Sequence, residues 1–332
     1  MVTIKDIAAK LGVAVSTVSK GLNGASDISD DLRELVLNTA IEMGYVSKRM
    51  RAESTRKLCI FIENMDYENI NFFAHDVVIG FKHMALKENW HVTVVPVTAN
   101  MQENIRYDAY MMKNSFTAAF LLGFTQEDRW IKQLTSTSFP TVLLDNFIPS
   151  NHSVSYVGTD SNEGIFSVVS HLKQLGHTRI AFLNGPKNSM VSQKRYQAFQ
   201  KSMETLGLTP HDNLIQFGHY NSECAKHFVP DFLKLGATAI VCASDTIAAG
   251  VIEECQKNGF CIPEDISVIG FDDLPLSTAL TPPLTTIRQN RLELGKSAYL
   301  SIHGLIHNIP VGQLLLRPNF VERKSTSVAV PR

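Results

Sequence analysis

Apolar residues recur along residues 1–45 only at helical spacing. Ile4, Ile7, Ala8 and Leu11 follow the i, i+3, i+4, i+7 rhythm of one buried face, and Gly12 ends the run. Val15, Val18 and Leu22 place a second short helix with those side chains inward, closed by the turn pair Asn23-Gly24. A third helix is predicted from Ser29, an N-cap residue followed by Asp30 and Asp31, where the helix dipole favours carboxylates. Its inner stripe is Leu32, Leu35, Val36, Thr39, Ala40 and Met43, with Gly44 closing it.

From Leu58 the rhythm changes. Apolar runs Leu58–Ile62, His91–Val97, Ala118–Leu122 and Thr141–Leu144 alternate with helical stretches at 72–88, 102–113 and 126–136. A second series has strands Val154–Val157, Arg179–Leu183, Ala239–Cys242 and Ser267–Phe271, with helices near 162–175, 191–206, 222–235 and 245–258. Continuous apolar strands separated by helices predict parallel sheets covered on both faces. The fold class expected is therefore α/β: a small all-α module followed by a two-lobed body with two parallel sheets.

In open parallel sheets, ligands bind at the carboxyl ends of the strands. The residues just past these runs are polar: Asn64, Asp145, Ser244, Asp245, Asp272 and Asp273, with Arg195 early in a helix beyond Leu183. Each alone reads equally well as a helix N-cap or an ion-pair partner; together they describe a cleft.

Composition narrows the classes. The chain has 332 residues, 44% hydrophobic and 19% charged, with a formal net charge of −1, which fits an ordinary globular protein of two or three domains. No apolar run approaches the roughly 18 residues a membrane span needs. No secretory signal is visible, so cytoplasm is the expected compartment. Five cysteines (Cys59, Cys224, Cys242, Cys255, Cys261) without a C-x-x-C pair read as buried free thiols. Charge is uneven: residues 1–57 hold nine Lys/Arg against seven Asp/Glu, and Val46–Lys57 alone holds five basic side chains and one acid. No phosphate loop, nucleophile elbow, H-E-x-x-H or dinucleotide fingerprint is present, and the histidines His75, His83 and His91 are spaced too widely for one helical turn. An enzyme is unsupported, and no cofactor or metal is expected.

Two short helices joined by a Gly-containing turn, with a third behind them, suit a helix-turn-helix as well as a plain three-helix bundle. The outward face of the second helix separates the two. Val15, Ser16, Thr17, Ser19 and Lys20 are small, hydrogen-bonding or basic, with no acid among them, and such a face enters a major groove about 12 Å wide.

These residues carry a resemblance. Val2-Thr-Ile-Lys-Asp-Ile-Ala, Leu11-Gly-Val, Ser16-Thr-Val-Ser-Lys, Leu22-Asn-Gly and Met43-Gly-Tyr45 resemble the headpiece of the lactose/galactose repressor (LacI) family of bacterial transcription regulators. The body agrees through Val157-Gly-Thr-Asp160, Gly176-His177, Arg195 before Ala198-Phe199, Ala243-Ser-Asp245, Val268-Ile-Gly-Phe-Asp-Asp273 and Pro282-Pro-Leu-Thr-Thr-Ile287. The resemblance implies a DNA-binding domain at 1–45, a hinge at 46–57 and an effector-binding core at 58–332 like the periplasmic sugar-binding proteins. Within that core it implies an N-subdomain of about 58–157 plus 288–318 and a C-subdomain of about 160–286 plus 320–332. It also implies a homodimer on double-stranded operator DNA, controlled by a small-molecule effector, with no membrane partner.

Carried over residue by residue, Val15, Ser16 and Lys20 match major-groove readers, while Thr3, Thr17, Ser19 and Asn23 match phosphate contacts, which position rather than specify. Arg49 and Arg51 join them from the basic hinge. Asn64 with Met65, Phe72, Phe73, Asp145, Arg195, Tyr220, Ser244, Asp272 and Arg291 match effector contacts, an Arg fork and a carboxylate suiting a sugar, sugar acid or sugar phosphate. Phe72, Phe73 and Tyr220 read equally as core.

The chain departs from the pattern in four places. Ala14 stands where the recognition helix usually has a Ser cap, Ser47-Lys48 replaces Pro-Asn, and Ser54 replaces the hinge Leu that wedges into the minor groove, leaving Met50 as the large apolar residue there. Arg291 occupies a position usually uncharged; facing the cleft it favours an anion, and facing outward it is a salt bridge. A transport solute-binding protein would share the body but lack the headpiece, an enzyme would turn its ligand over, and a phosphorylated protein corepressor is a variant within the favoured class.

Overall fold

A computed structural model describes residues 2–22, 25, 27–43, 45 and 56–330. The first three helices are α1 (Ile4–Leu11), α2 (Val15–Leu22) and α3 (Asp30–Glu42). Thr3 starts α1 with a capping box: its hydroxyl accepts from the Asp6 amide, and the Asp6 carboxylate accepts from the Thr3 amide at 2.7 Å. Gly12, at φ 65°, supplies the left-handed residue that ends it. Ser29 caps α3 as predicted, its Oγ accepting from the Leu32 amide at 3.4 Å. Ile7, Ala8, Val18, Val36 and Ala40 form the buried centre of this module, with Met112 packed against it.

Leu35, expected inward, is 51% exposed, because it lies to the side of the Val36–Ala40 stripe. Val15, which helical spacing placed inward and the groove-reading face placed outward, is 42% exposed and so takes the outward place. The module is held by the narrower set of positions that all three helices share.

The chain divides into two compact units: Met1–Met65, Phe81–Tyr156 and Ser297–Gln313 in one, Asp66–Gly80, Val157–Lys296 and Leu314–Arg332 in the other. There are two six-stranded sheets. The first contains β1 (Lys57–Ile62), β2 (His91–Pro96), β3 (Ala118–Leu122), β4 (Thr141–Leu144), β5 (Val154–Thr159) and β11 (Gln313–Leu316), in the order β11-β5-β4-β3-β1-β2. The second contains β6 (Ile180–Asn184), β7 (Ile215–Phe217), β8 (Ala239–Cys242), β9 (Ser267–Asp272), β10 (Thr285–Arg288) and β12 (Asn319–Val321), in the order β12-β10-β9-β8-β6-β7. The β1–β2, β1–β3 and β3–β4 pairs are parallel, as are β6–β7, β6–β8, β8–β9 and β9–β10; β12 pairs antiparallel with β10. The α/β architecture with a small helical module and two parallel sheets is the one expected.

The expected 102–113 helix is two helices, Ala99–Asn104 and Tyr107–Lys113, and the 126–136 helix shrinks to Arg129–Gln133. The reason lies elsewhere in the sequence: Trp130 turns its indole N–H to the Ile105 carbonyl at 2.8 Å, satisfying the broken helix end, and packs edge-on to Phe61 at 5.0 Å. In the second unit Phe182 of β6 stacks on Phe199 at 4.8 Å inside a continuous apolar core. Four cysteines are buried and free as expected; Cys261 is exposed, because it lies in the loop between helix Asp245–Lys257 and β9. Among the described residues no helix is long and apolar enough to cross a membrane.

Helix Asp245–Lys257 approaches the 222–224 turn so closely that a Cβ on Gly250 would lie 2.1 Å from the Ser222 carbonyl oxygen. Gly250→Ala is therefore expected to destabilise the protein by about 1–3 kcal/mol, read as a lowered urea midpoint. An unchanged midpoint would show that this contact yields freely.

Candidate functional site

The DNA-facing candidates lie on the helical module. Val15, Ser16 and Lys20 are exposed along α2, while Thr17 and Ser19 are partly buried. Ala14 gives only its backbone carbonyl to the start of α2, accepting from Val18 at 3.2 Å. Thr3 is committed to the α1 cap, its hydroxyl donating to Asp6 at 2.7 Å. Lys20 is ion-paired with Asp27, which lies beyond the end of α2 in sequence. Asn23, Arg49 and Arg51, with Ser47, Lys48, Met50 and Ser54 of the hinge, lie outside the described residues.

The ligand-facing candidates sit where parallel strands end. In the first unit Asn64 follows β1 and Asp145 follows β4, with φ of 51° and 53°, a left-handed backbone that Asn and Asp tolerate best among non-glycine residues. Asn64 is exposed and Asp145 half-buried. Behind Asn64 is a polar cluster that sequence reading missed. Glu63 is 5% exposed; the Gln102 amide donates to its Oε2 at 2.8 Å and to Asp128 Oδ1 at 3.4 Å. The same Gln102 accepts from the Trp130 amide at 3.1 Å, which fixes the orientation of its side chain. Burial, together with the adjacent Asp128 carboxylate with which it shares a hydrogen bond, pushes Glu63 up to about 7.

The second unit brings more of the candidates together. Arg195, 3% exposed, projects from helix Met190–Thr205, donates to the Ala243 carbonyl and lays its guanidinium on the Phe271 ring at 3.8 Å. Its Nε is buried with no hydrogen-bond partner among the described residues. Asp272 ends β9 at φ 121°, a strained conformation, and accepts from Gln289 Nε2 at 2.6 Å. Tyr220, 39% exposed, lies within electrostatic reach of both Arg195 and Asp272, and its hydroxyl meets Ser192 Oγ at 2.9 Å. Its ring packs over Gly185, where a Cβ would come within 2.3 Å of Tyr220 Cζ. Phe72 is 45% exposed and Phe73 partly buried at the start of helix Phe73–Lys87, so Phe72 and Tyr220 are surface rings rather than core.

Ser244 is buried, and its hydroxyl caps helix Asp245–Lys257 by accepting from Ile247 at 3.2 Å. Arg291 is a salt bridge: it grips Asp76 through Nη2 at 2.8 Å and Nε at 3.1 Å. Burial pushes Asp76 up, but hydrogen bonds from His75 and Arg291 outweigh it and hold the carboxyl below its ordinary range. Asp273 likewise receives Arg323 and Arg288, which overcome the effect of burial. Asp245 is fully buried, accepting from Thr286 Oγ1 at 2.5 Å and the Leu274 amide at 2.7 Å; burial and the nearby Asp272 push it well above the usual carboxylate range. Gln289, Ser192 and the buried Asn184 were missed by the strand-end reading, although Asn184 and Gln289 stand at the ends of β6 and β10 and that rule reaches them. Among the described residues no group of three or more His, Cys, Asp or Glu is placed to hold a metal ion.

A helix-turn-helix module preceding a body of two parallel-sheet units is the architecture of a DNA-binding regulator. Residues 3–48 match the bacterial regulatory proteins of the lacI family, and residues 169–326 match the periplasmic binding protein-like domain. The chain is 30% identical over 341 residues to the HTH-type transcriptional regulator MalR of Streptomyces coelicolor, covering 98% of this chain and 97% of that protein. It is 26% identical over 307 residues to the HTH-type transcriptional repressor PurR of Vibrio campbellii, 90% of each. Among solved structures it is similar to the lac repressor dimer bound to operator and the anti-inducer ONPF, with TM-score 0.70, 25% identity and coverage of 98% and 99%. The transcriptional regulator CelR–cellobiose complex shares the fold at TM-score 0.74 and 22% identity, covering 98% and 100%. The chain belongs to the LacI family of bacterial transcriptional regulators.

Because the folded state holds Glu63 protonated well above the ordinary 4.5, its contribution to stability is complete below that value and declines as pH rises from about 4.5 to about 7. The stability difference between the wild type and Glu63→Gln is expected to shift against the wild type across that interval and to flatten above it, in melts over a pH series. A pH-independent difference would remove the shared-proton assignment.

Proposed function

We propose that the chain is a cytoplasmic homodimer that binds double-stranded operator DNA through α2 and represses transcription until a small polar effector changes its grip. It carries out no reaction and needs no cofactor. Arg195 carries the effector half of this reading: a buried guanidinium, stacked on Phe271, whose Nε awaits an acceptor while Asp272 and Tyr220 lie nearby. An Arg and a carboxylate of opposite sign bracket hydroxyl groups well. The Arg291–Asp76 pair removes the cation that argued for an anionic ligand, so an uncharged sugar fits this wall better than a sugar acid or phosphate. The cellobiose complex of one similar regulator and the anti-inducer ONPF bound by the similar lac repressor support a small-molecule effector. Val15, Ser16 and Lys20 read bases, with Thr17 and Ser19 on phosphates; Asn23, Arg49 and Arg51 extend that contact.

A thermal-shift screen of neutral sugars, sugar acids and sugar phosphates is expected to rank a neutral sugar first. With that ligand, Arg195→Ala is expected to abolish the effector response while sparing affinity for the chain's own promoter fragment. Lys20→Ala is expected to lower that affinity by about 1–3 kcal/mol and leave the thermal shift intact. Mutants that retain both activities would overturn these assignments.

A further inference from the structure

The carboxyl ends of β1, β3 and β4 are joined by a polar network whose centre is a pair of carboxyl groups. Glu63 follows β1, and its amide extends the pairing with β3 by donating to the Leu122 carbonyl at 3.0 Å. The chain leaving β3 turns at Gly123, φ 80°, so close to this point that a Cβ there would lie 1.8 Å from the Glu63 carbonyl oxygen. Asp128 closes the β3 loop, its Oδ2 accepting from the Thr125 amide at 2.6 Å and the Thr125 hydroxyl at 2.9 Å. In the same loop Gln126 donates to Asn146 Oδ1, and the buried Asn146, next to Asp145, donates to the Phe124 carbonyl at 3.1 Å. Gln102 of helix Ala99–Asn104 donates through its one Nε2 to Glu63 and Asp128 alike, which brings the two carboxyl groups together. The polar side chains that face Glu63 are therefore neutral Gln102 from that helix and Asp128 from the β3 loop.

Two ionised carboxylates repel strongly at such a place, so one proton is retained. Its location follows from the donors just named: Asp128 accepts three hydrogen bonds, which favour its ionised form, while buried Glu63 accepts one. The proton rests on Glu63 and is donated to Asp128. Resting on the reading that Asn64 and Asp145 contact the effector, we propose that protonated Glu63 is a positioning residue for that contact. Its hydrogen bond to Asp128 clasps the strand ends of the first unit and seats Asn64 at its left-handed turn. Loss of the proton, centred at about 7, sets two buried negative charges against each other. The end of β1 is then pushed from the β3 loop, which moves Asn64 on one side and, through Gln126 and Asn146, Asp145 on the other. An effector that binds the clasped arrangement loses apparent affinity in proportion to the protonated fraction, about tenfold between about pH 6 and about pH 8.

Two measurements on the full chain test this. In amide NMR spectra of the protein without effector, the Asn64 and Asn146 signals are expected to move together across that interval with one midpoint. They are expected to stay fixed in Glu63→Gln, whose amide donates to Asp128 without titrating. In Asp128→Asn, which removes the repulsion, the midpoint is expected to fall toward that of an ordinary glutamate. The affinity probe is the sugar that gives the largest thermal shift. Its Kd by calorimetry is expected to rise about tenfold over the same interval in the wild type and by less than about twofold in Glu63→Gln. Asn64 and Asn146 signals indifferent to pH, a constant sugar affinity, or a pH dependence that Glu63→Gln retains would overturn the positioning role and leave effector binding standing. Absence of sugar binding at every pH, with the amide titration intact, would remove the effector reading and the positioning role together.

Discussion

Parallel strand pairing is the constraint on which the placing of the candidate ligand-binding residues depends. When neighbouring strands run the same way, all their carboxyl ends reach one edge of the sheet, and each must turn abruptly into the following loop. That turn is taken at Asn64, Asp145, Asp272 and Asp273 with positive φ, conformations that short polar side chains support and bulky apolar ones resist. The geometry that ends the strands therefore selects the residue types that bind polar ligands. Strain at Asp272 is borne because Gln289 and the surrounding buried strands over-determine its place.

Charge distribution in the second unit sharpens the site. Asp273 is matched by Arg323 and Arg288, and Asp76 by Arg291, while burial beside Asp272 pushes the Asp245 carboxyl well above its ordinary range. Buried charges are tolerable when paired, as that of Asp273 is. Arg195 is buried too, but its partners are a backbone carbonyl and an aromatic face, neither of which neutralises it. In the proposed function this leaves Arg195 as the group whose interactions a ligand completes.

Sequence periodicity located the elements whose apolar positions repeat without interruption. Strands β1, β3, β4 and β8 read true because each is a buried run, and α1 because its stripe and Gly12 stop agree. Val15 and Leu35 defeated the same reasoning: periodicity says which residues share a helix face, not how far the neighbouring helix extends over it. The split of the 99–113 region was hidden because the interruption is stabilised by Trp130, distant in sequence. For the site, strand ends pointed to Asn64, Asp145 and Asp272, but the roles of Ser244 and Arg291 required their partners. A cap needs the Ile247 amide and a salt bridge needs Asp76, more than two hundred residues away, and neither is encoded at the position itself. The Glu63–Gln102–Asp128 cluster was invisible for the same reason, three ordinary polar residues from three segments made unusual only by shared burial.

The central claim is that one chain couples groove reading to a ligand held by Arg195 and Asp272, and coupling of that kind is reciprocal. Calorimetric titration of the effector into the free protein and into its operator complex measures it directly. The account predicts different affinities in the two titrations, by the same factor through which the effector changes operator affinity and of about 5–150-fold. Equal effector affinities with and without operator would contradict it.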